Sequence, residues 1–207
     1  ALGGFFLLYS LRPPPAPFRN SRPLAAAPPV DAVIRGLRLH IPGRYVEYQD
    51  AGGDGSQRIS LVAALPDMRG YSDAEDGLFT GNAADSPLVH LLIRADAASL
   101  DPPTRLARLY GPYLLHPKGE PTPFGLMRYS FRPDSAYGRS ELFAGKGGSP
   151  LFLCEQPAQD LPNPNCLAME RPLAPGVSLT YRFKRAHLAG WRAIDEGVGR
   201  LISGFRL

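Results

Sequence analysis

The sequence predicts an α+β domain: a mainly antiparallel sheet carrying a C-terminal amphipathic helix and one shorter helix, both packed on one face. Three observations carry this. Val177–Lys184 alternates apolar and polar residues, with Val177, Leu179, Tyr181 and Phe183 on one side, which is the period of a half-buried strand. The period then changes. Leu188, Trp191, Ile194, Val198, Leu201, Ile202 and Phe205 recur at steps of three and four, the stripe of a helix that lies on something apolar. Before these, short extended runs are punctuated by proline, of which the 207 residues contain 23, about twice the usual share.

In chain order, Ala1–Leu11 is uncharged and apolar except for Tyr9 and Ser10. It is shorter than the roughly 20 residues that span a bilayer. It reads as the outer end of a truncated transmembrane helix, with Tyr9 and Arg12 as interfacial anchors. A signal-peptide core is the first alternative, but Arg12 and three prolines stand where a small-residue cleavage site belongs. A buried N-terminal element is the second. Residues 12–30 read as a proline-rich linker of extended geometry, and residues 31–207 as a single α+β domain. Arg12, Arg19 and Arg22 follow the apolar run, whereas positive flanks usually stay cytoplasmic. A periplasmic domain therefore requires a more basic flank upstream.

Within the domain, Val33, Leu37, Leu39 and Ile41 read as one first strand with Gly36 near its middle. Pro42-Gly43 turns it into a strand at 44–48, and 51–56 is a glycine loop. Arg58–Leu65 and Leu88–Ile93 are apolar strands, separated by a long polar loop whose glycines and few apolar residues read as mobile. Asp101-Pro102 starts the shorter helix, with Asp capping and Pro at the first helical position. Gly111-Pro112 ends it. Leu126–Phe131, Glu141–Ala144, Leu151–Cys154 and Cys166–Met169 read as further strands. Pro175-Gly176 turns into the alternating strand. In the closing helix, Asp195 or Glu196 pairs with Arg200 at helical spacing, and Trp191 is a core anchor.

Cys154 and Cys166 are the only cysteines. Between them Gln156–Asn165 holds three prolines and two asparagines, so it continues neither strand nor helix. Two free thiols, or half of a zinc site, are the alternatives. Zinc needs more ligands, and His40, His90, His116 and His187 are not spaced to supply them. A disulfide closing a proline-rich hairpin suits the spacing, with Cα atoms roughly 4.4–6.8 Å apart. It requires an oxidising compartment. The abundance of Ala, Arg, Gly and Pro suggests a GC-rich bacterial genome; with a membrane-derived N-terminus in a bacterium, that requirement places the domain on the periplasmic side of the inner membrane, single-pass. A cytoplasmic-facing domain with reduced cysteines is the remaining orientation.

The Asp67–Asp85 loop is the one candidate binding segment, carrying Tyr71, Asp73, Glu75 and Asp76. Its spacing is not that of an EF-hand, so no metal is assigned to it. Gly70–Ala74 lacks the last glycine of a nucleophile elbow and the helix that follows one. Ala144–Ser149 lacks phosphate-loop spacing and leads into a strand, so it reads as a hairpin turn. The net charge is +4, but basic residues are scattered, with no run longer than Lys184-Arg185, so nucleic-acid binding is not read. The expected function is a non-catalytic protein-interaction module of the envelope. It needs no cofactor, and its partners are the membrane, through the N-terminus, and another envelope protein. The alternative is an envelope hydrolase with its site near the Asp67–Asp85 loop.

Overall fold

The computed structural model describes residues 23–49, 58–95 and 100–207. The apolar stretch 1–11, the proline-rich residues up to Arg22 and the glycine loop 51–56 lie outside the described residues. The chain opens with the hairpin β1 (Val30–Ile34) and β2 (Leu37–Ile41). Nine further strands form one sheet: β3 (Val46–Gln49), β4 (Arg58–Ala64), β5 (Leu88–Ala95), β6 (Glu120–Pro121), β7 (Met127–Ser130), β8 (Ser140–Ala144), β9 (Leu151–Glu155), β10 (Asn165–Ala174) and β11 (Val177–Lys184). Their order is β3-β4-β5-β11-β10-β9-β8-β7-β6, and every pairing is antiparallel. The helices are α1 (Asp76–Thr80), α2 (Pro102–Thr104, continued by a π-helical turn at Arg105–Tyr110) and α3 (Trp191–Phe205).

The fold class is the one the sequence predicts, and the closing helix does what its stripe requires. Trp191, Ile194, Val198, Ile202 and Phe205 are buried against Val89, Leu91 and Ile93 of β5 and Leu179, Tyr181 and Phe183 of β11. Trp191 is the expected core anchor, its indole N–H donating to the Phe124 carbonyl at 3.0 Å. The β1–β2 hairpin closes this face, burying Ala32, Ile34, Leu39 and Ile41 in the same core. Gly197 is buried on the core side of the helix, close against Met68. A Cβ there would stand 3.0 Å from the side chain of Met68. Glu196 takes Arg200 at 3.7 Å on the exposed side, while Asp195 turns inward to Arg171 and to the Tyr181 hydroxyl.

Two local expectations are corrected. Gly36 is not mid-strand. Arg35 and Gly36 both have positive φ, 44° and 84°, and form the two-residue turn between β1 and β2. The shorter helix does not share a face with α3. Neighbouring residues of one strand point to opposite faces. Phe143 and Phe152 belong to the α3 core, whereas Leu142, Ala144 and Leu151 pack with Tyr110, Leu106 and Leu109. The sheet is therefore covered on both sides at its β8–β10 end. The cap itself is as expected, with the Asp101 carboxylate accepting from the Thr104 backbone N–H at 2.9 Å.

Cys154 of β9 and Cys166 of β10 stand directly opposite each other and are joined by a disulfide. Their Cα atoms are 4.0 Å apart, shorter than the expected range of roughly 4.4–6.8 Å and nearer the roughly 4.5 Å of a non-hydrogen-bonded antiparallel pair than the roughly 5.5 Å of a hydrogen-bonded one. Both are fully buried in the α3 core.

Candidate binding cleft

Three polar clusters lie on or beside the second sheet face. The first is the Asp67–Asp85 loop, which is tied down more firmly than its composition suggests. Met68 and Tyr71 are buried, and Leu78 and Phe79 of α1 pack over Val62, Ala64 and Leu88. The Arg69 guanidinium donates to Glu75 at 2.6–3.1 Å, to Asp67 at 3.0 Å and to the Leu65 carbonyl at 2.9 Å. Those bonds hold the Glu75 and Asp67 carboxyls below their ordinary pKa. The Tyr71 hydroxyl donates to Asp76 at 2.9 Å. Asp73 is exposed on the short turn before α1. The four residues named from sequence thus form two separate pairings and one solvated carboxylate, not one convergent site. Among the described residues, no three His, Cys, Asp or Glu side chains are grouped to hold a metal ion.

The second cluster sits where β10 is irregular. The register with β11 shifts between Ala168 and Arg171, and Glu170 is nearly buried there, between Arg94 of β5 and Arg105 of the π-helical turn. Its two oxygens each take one guanidinium. Beside it, the Tyr110 hydroxyl donates to the Met169 sulfur at 3.4 Å. The cluster fastens α2 to the sheet.

The third is a cleft of about 320 Å3 at the far end of the same face. Its walls come from strand register. Arg182 of β11 stands opposite His90 of β5, and Lys184 stands opposite Asn165 of β10. All four therefore point to the face away from α3, and Asn82 and Ser86 of the loop before β5 complete the lining. Lys184 is only 7% exposed. Its ammonium donates to the Asn82 side-chain oxygen at 2.6 Å and to the Asn163 carbonyl at 3.2 Å. It has no bonded carboxylate among the described residues. Burial, and then the Arg182 charge, lower its pKa, with Glu155 opposing them. Glu155 is itself held by the backbone N–H and side-chain amide of Asn165, at 2.7 and 3.1 Å.

The lips of this cleft are fastened from three sides. The Asn163 amide donates to the Asn82 carbonyl at 2.7 Å, and His187 donates to the carbonyls of Asp85 and Ser86 at 3.0 and 3.1 Å. The His90 imidazole is held by Glu47 at 3.1 Å. Between the cleft and α2, Ser60, Leu92 and Thr180 are half-exposed and Arg182 and Leu167 are exposed. No described helix covers that middle strip. Sequence reading missed the cleft, because Lys184 looked like the polar end of an alternating strand and Asn82 and Asn163 like ordinary loop residues.

The molecule is thus an α+β domain with one sheet face sealed by α3 and the other left partly open and cationic. No family model and no curated protein matches the chain. Solved structures do resemble it. Smlt3025, an immunity protein of the Stenotrophomonas maltophilia type IV secretion system, aligns over 86% of this chain and 93% of its own, at 15% identity and a TM-score of 0.62. The iron-regulated outer membrane lipoprotein FrpD of Neisseria meningitidis aligns over 91% of this chain and 97% of its own, at 15% identity and a TM-score of 0.47. The first likeness shows a shared fold.

Proposed function

We propose that this chain is a non-catalytic protein-interaction domain of the bacterial periplasm, held at the inner membrane through its N-terminal apolar stretch. One observation carries the reading: the strip of sheet between α1 and α2 is half-exposed, and it ends in a cleft whose buried lysine has no bonded carboxylate among the described residues. An ammonium buried among neutral acceptors, with no bonded carboxylate among the described residues, is costly to desolvate, which fits a contact made with a partner. The disulfide supports the compartment, since such bonds persist where thiols are not kept reduced. The hydrolase alternative finds less support on the Asp67–Asp85 loop, where Glu75 is occupied by Arg69 and Asp76 by Tyr71.

The experiment is site-specific photocrosslinking of the full-length protein in its native cells. A crosslinker replaces Leu167, exposed beside Arg182 on the open face, or Glu196 on the outer side of α3. A discrete adduct from position 167, absent from position 196 and competed away by wild-type protein, is expected. No adduct from 167, or equal adducts from both positions, refutes the reading.

A further inference from the structure

The geometry points to the Lys184 cleft as a receptor for a single carboxylate, the side chain of an aspartate or glutamate on the partner protein; this rests on the interaction reading above. The donor count supports it. Lys184 has three N–H donors. Two are spent on Asn82 and Asn163, and the third has no acceptor among the described residues. Arg182 lines the same cleft with no hydrogen-bond or ion-pair partner among the described residues. Two cations beside one cleft are an unfavourable pair until an anion enters, and burial strengthens both the repulsion and the relief.

Charge selects the kind of anion. Glu155 lies near enough to act on Lys184 and offsets one of the two positive charges. Glu47, held against His90 of the same lining, offsets charge in turn, so the cleft carries no large positive surplus and suits a monoanionic carboxylate better than a dianionic phosphate. Size agrees. A volume of about 320 Å3 takes one acidic side chain and its flanking backbone, and lies at the small end of ligand pockets. The neighbouring lining is polar, with Ser86, Asn165 and His90 able to hydrogen-bond the anion or its waters.

The test needs no partner. Protein labelled at lysine Nζ is titrated with N-acetyl-aspartyl amide and, separately, with inorganic phosphate, while the Lys184 signal is followed by NMR. A saturable shift with the aspartyl amide is expected. It should weaken as pH rises, because the lowered proton affinity of Lys184 makes it lose its charge earlier than an ordinary lysine. Arg182→Gln should weaken binding about tenfold. Lys184→Met should abolish binding, read by the shifts of its neighbours. If Lys184→Met does not fold, Arg182→Gln decides alone, since its side chain is exposed and makes no bond to lose among the described residues. No saturable shift, tighter binding of phosphate, or wild-type affinity in Arg182→Gln overturns the assignment. Carboxylate binding without a position-167 crosslink leaves this site standing and removes the interaction reading. A crosslink without carboxylate binding does the reverse.

Discussion

Removing the Cys154–Cys166 bond is the perturbation whose size follows most directly from the structure. The bond closes a sequence separation of 12. In the chain-entropy treatment that restricts the unfolded chain by about 9–10 cal/mol/K, or roughly 3 kcal/mol at 25 °C. Both residues are fully buried in the α3 core, so the double variant Cys154→Ala/Cys166→Ala also loses packing at the centre of the β9–β10 pair. A total loss of about 2–4 kcal/mol is expected. Urea unfolding of the oxidised wild type, the reduced wild type and the double variant measures it. The midpoint should fall in the reduced protein and in the variant, and reductant should not move the variant further. The slope should rise, because an uncrosslinked chain exposes more surface when it unfolds. Structure adds a local consequence. Asn165 and Asn163 lie just before Cys166 and hold Glu155, Asn82 and Lys184, so amide exchange around the cleft should quicken together with the stability loss. A midpoint insensitive to reductant, or two free thiols by mass spectrometry in protein from the periplasm, refutes the reasoning.

Two further predictions concern the other clusters. Glu170→Gln leaves Arg94 and Arg105 facing a neutral amide, and should cost about 3 kcal/mol, the low end for breaking a buried pair because Arg94 is partly in water; urea unfolding checks it, and a loss within error would mean that α2 is held by Tyr110 and its apolar neighbours alone. Glu75 and Asp67 have folded pKa values below their unfolded ones, so their contribution is present above the ordinary carboxylate range and is lost as pH falls through the lowered values. The Tyr71 ring signals should therefore stay native at pH 7 and broaden only as pH falls below the ordinary carboxylate range, while Glu75→Gln should show the broadened state at pH 7; Tyr71 signals unchanged by both perturbations would count against the Arg69 clamp.

The elements legible in the sequence are those whose period is local. β11 alternates over its whole length and α3 carries an unbroken stripe, so neither needs a distant partner to be recognised. The β1–β2 hairpin hides for a definable reason. A two-residue turn switches the parity of the inward residues, from Ala32 and Ile34 to Leu39 and Ile41. Grouping Val33 with the later odd positions joined two faces, and Val33 is in fact 48% exposed. That parity switch across Arg35-Gly36 was the available signal. The side taken by α2 also left a trace. Leu142-Phe143-Ala144 and Leu151-Phe152-Leu153 are apolar at every position, which is how a strand reads when both of its faces are covered. The cleft left no such trace. Asn82 and Lys184 are 102 residues apart, and no period links a loop amide to a strand cation.

The polar row of β11 shows why the cleft is more than a wet edge of the sheet. A solvated face would leave Ser178, Thr180, Arg182 and Lys184 open alike. Instead Ser178 and Lys184, at the two ends of the row, are buried, while Thr180 and Arg182 between them are accessible. The burial of Lys184 comes from two loops, one before β5 and one before β10, that meet over it through Asn82 and Asn163. Loops that merely needed to meet could do so over a threonine or a leucine, with no ammonium to desolvate. A lysine in that position adds two hydrogen bonds but carries a charge with no bonded carboxylate among the described residues, Glu155 acting on it without a bond. The disulfide beside Asn165 then acts on the same place, because it fixes the strand start from which the Asn163 carbonyl reaches the ammonium. If a partner supplies a carboxylate to Lys184, as proposed, its contact would also tighten Pro164 to Cys166, the segment that the disulfide holds.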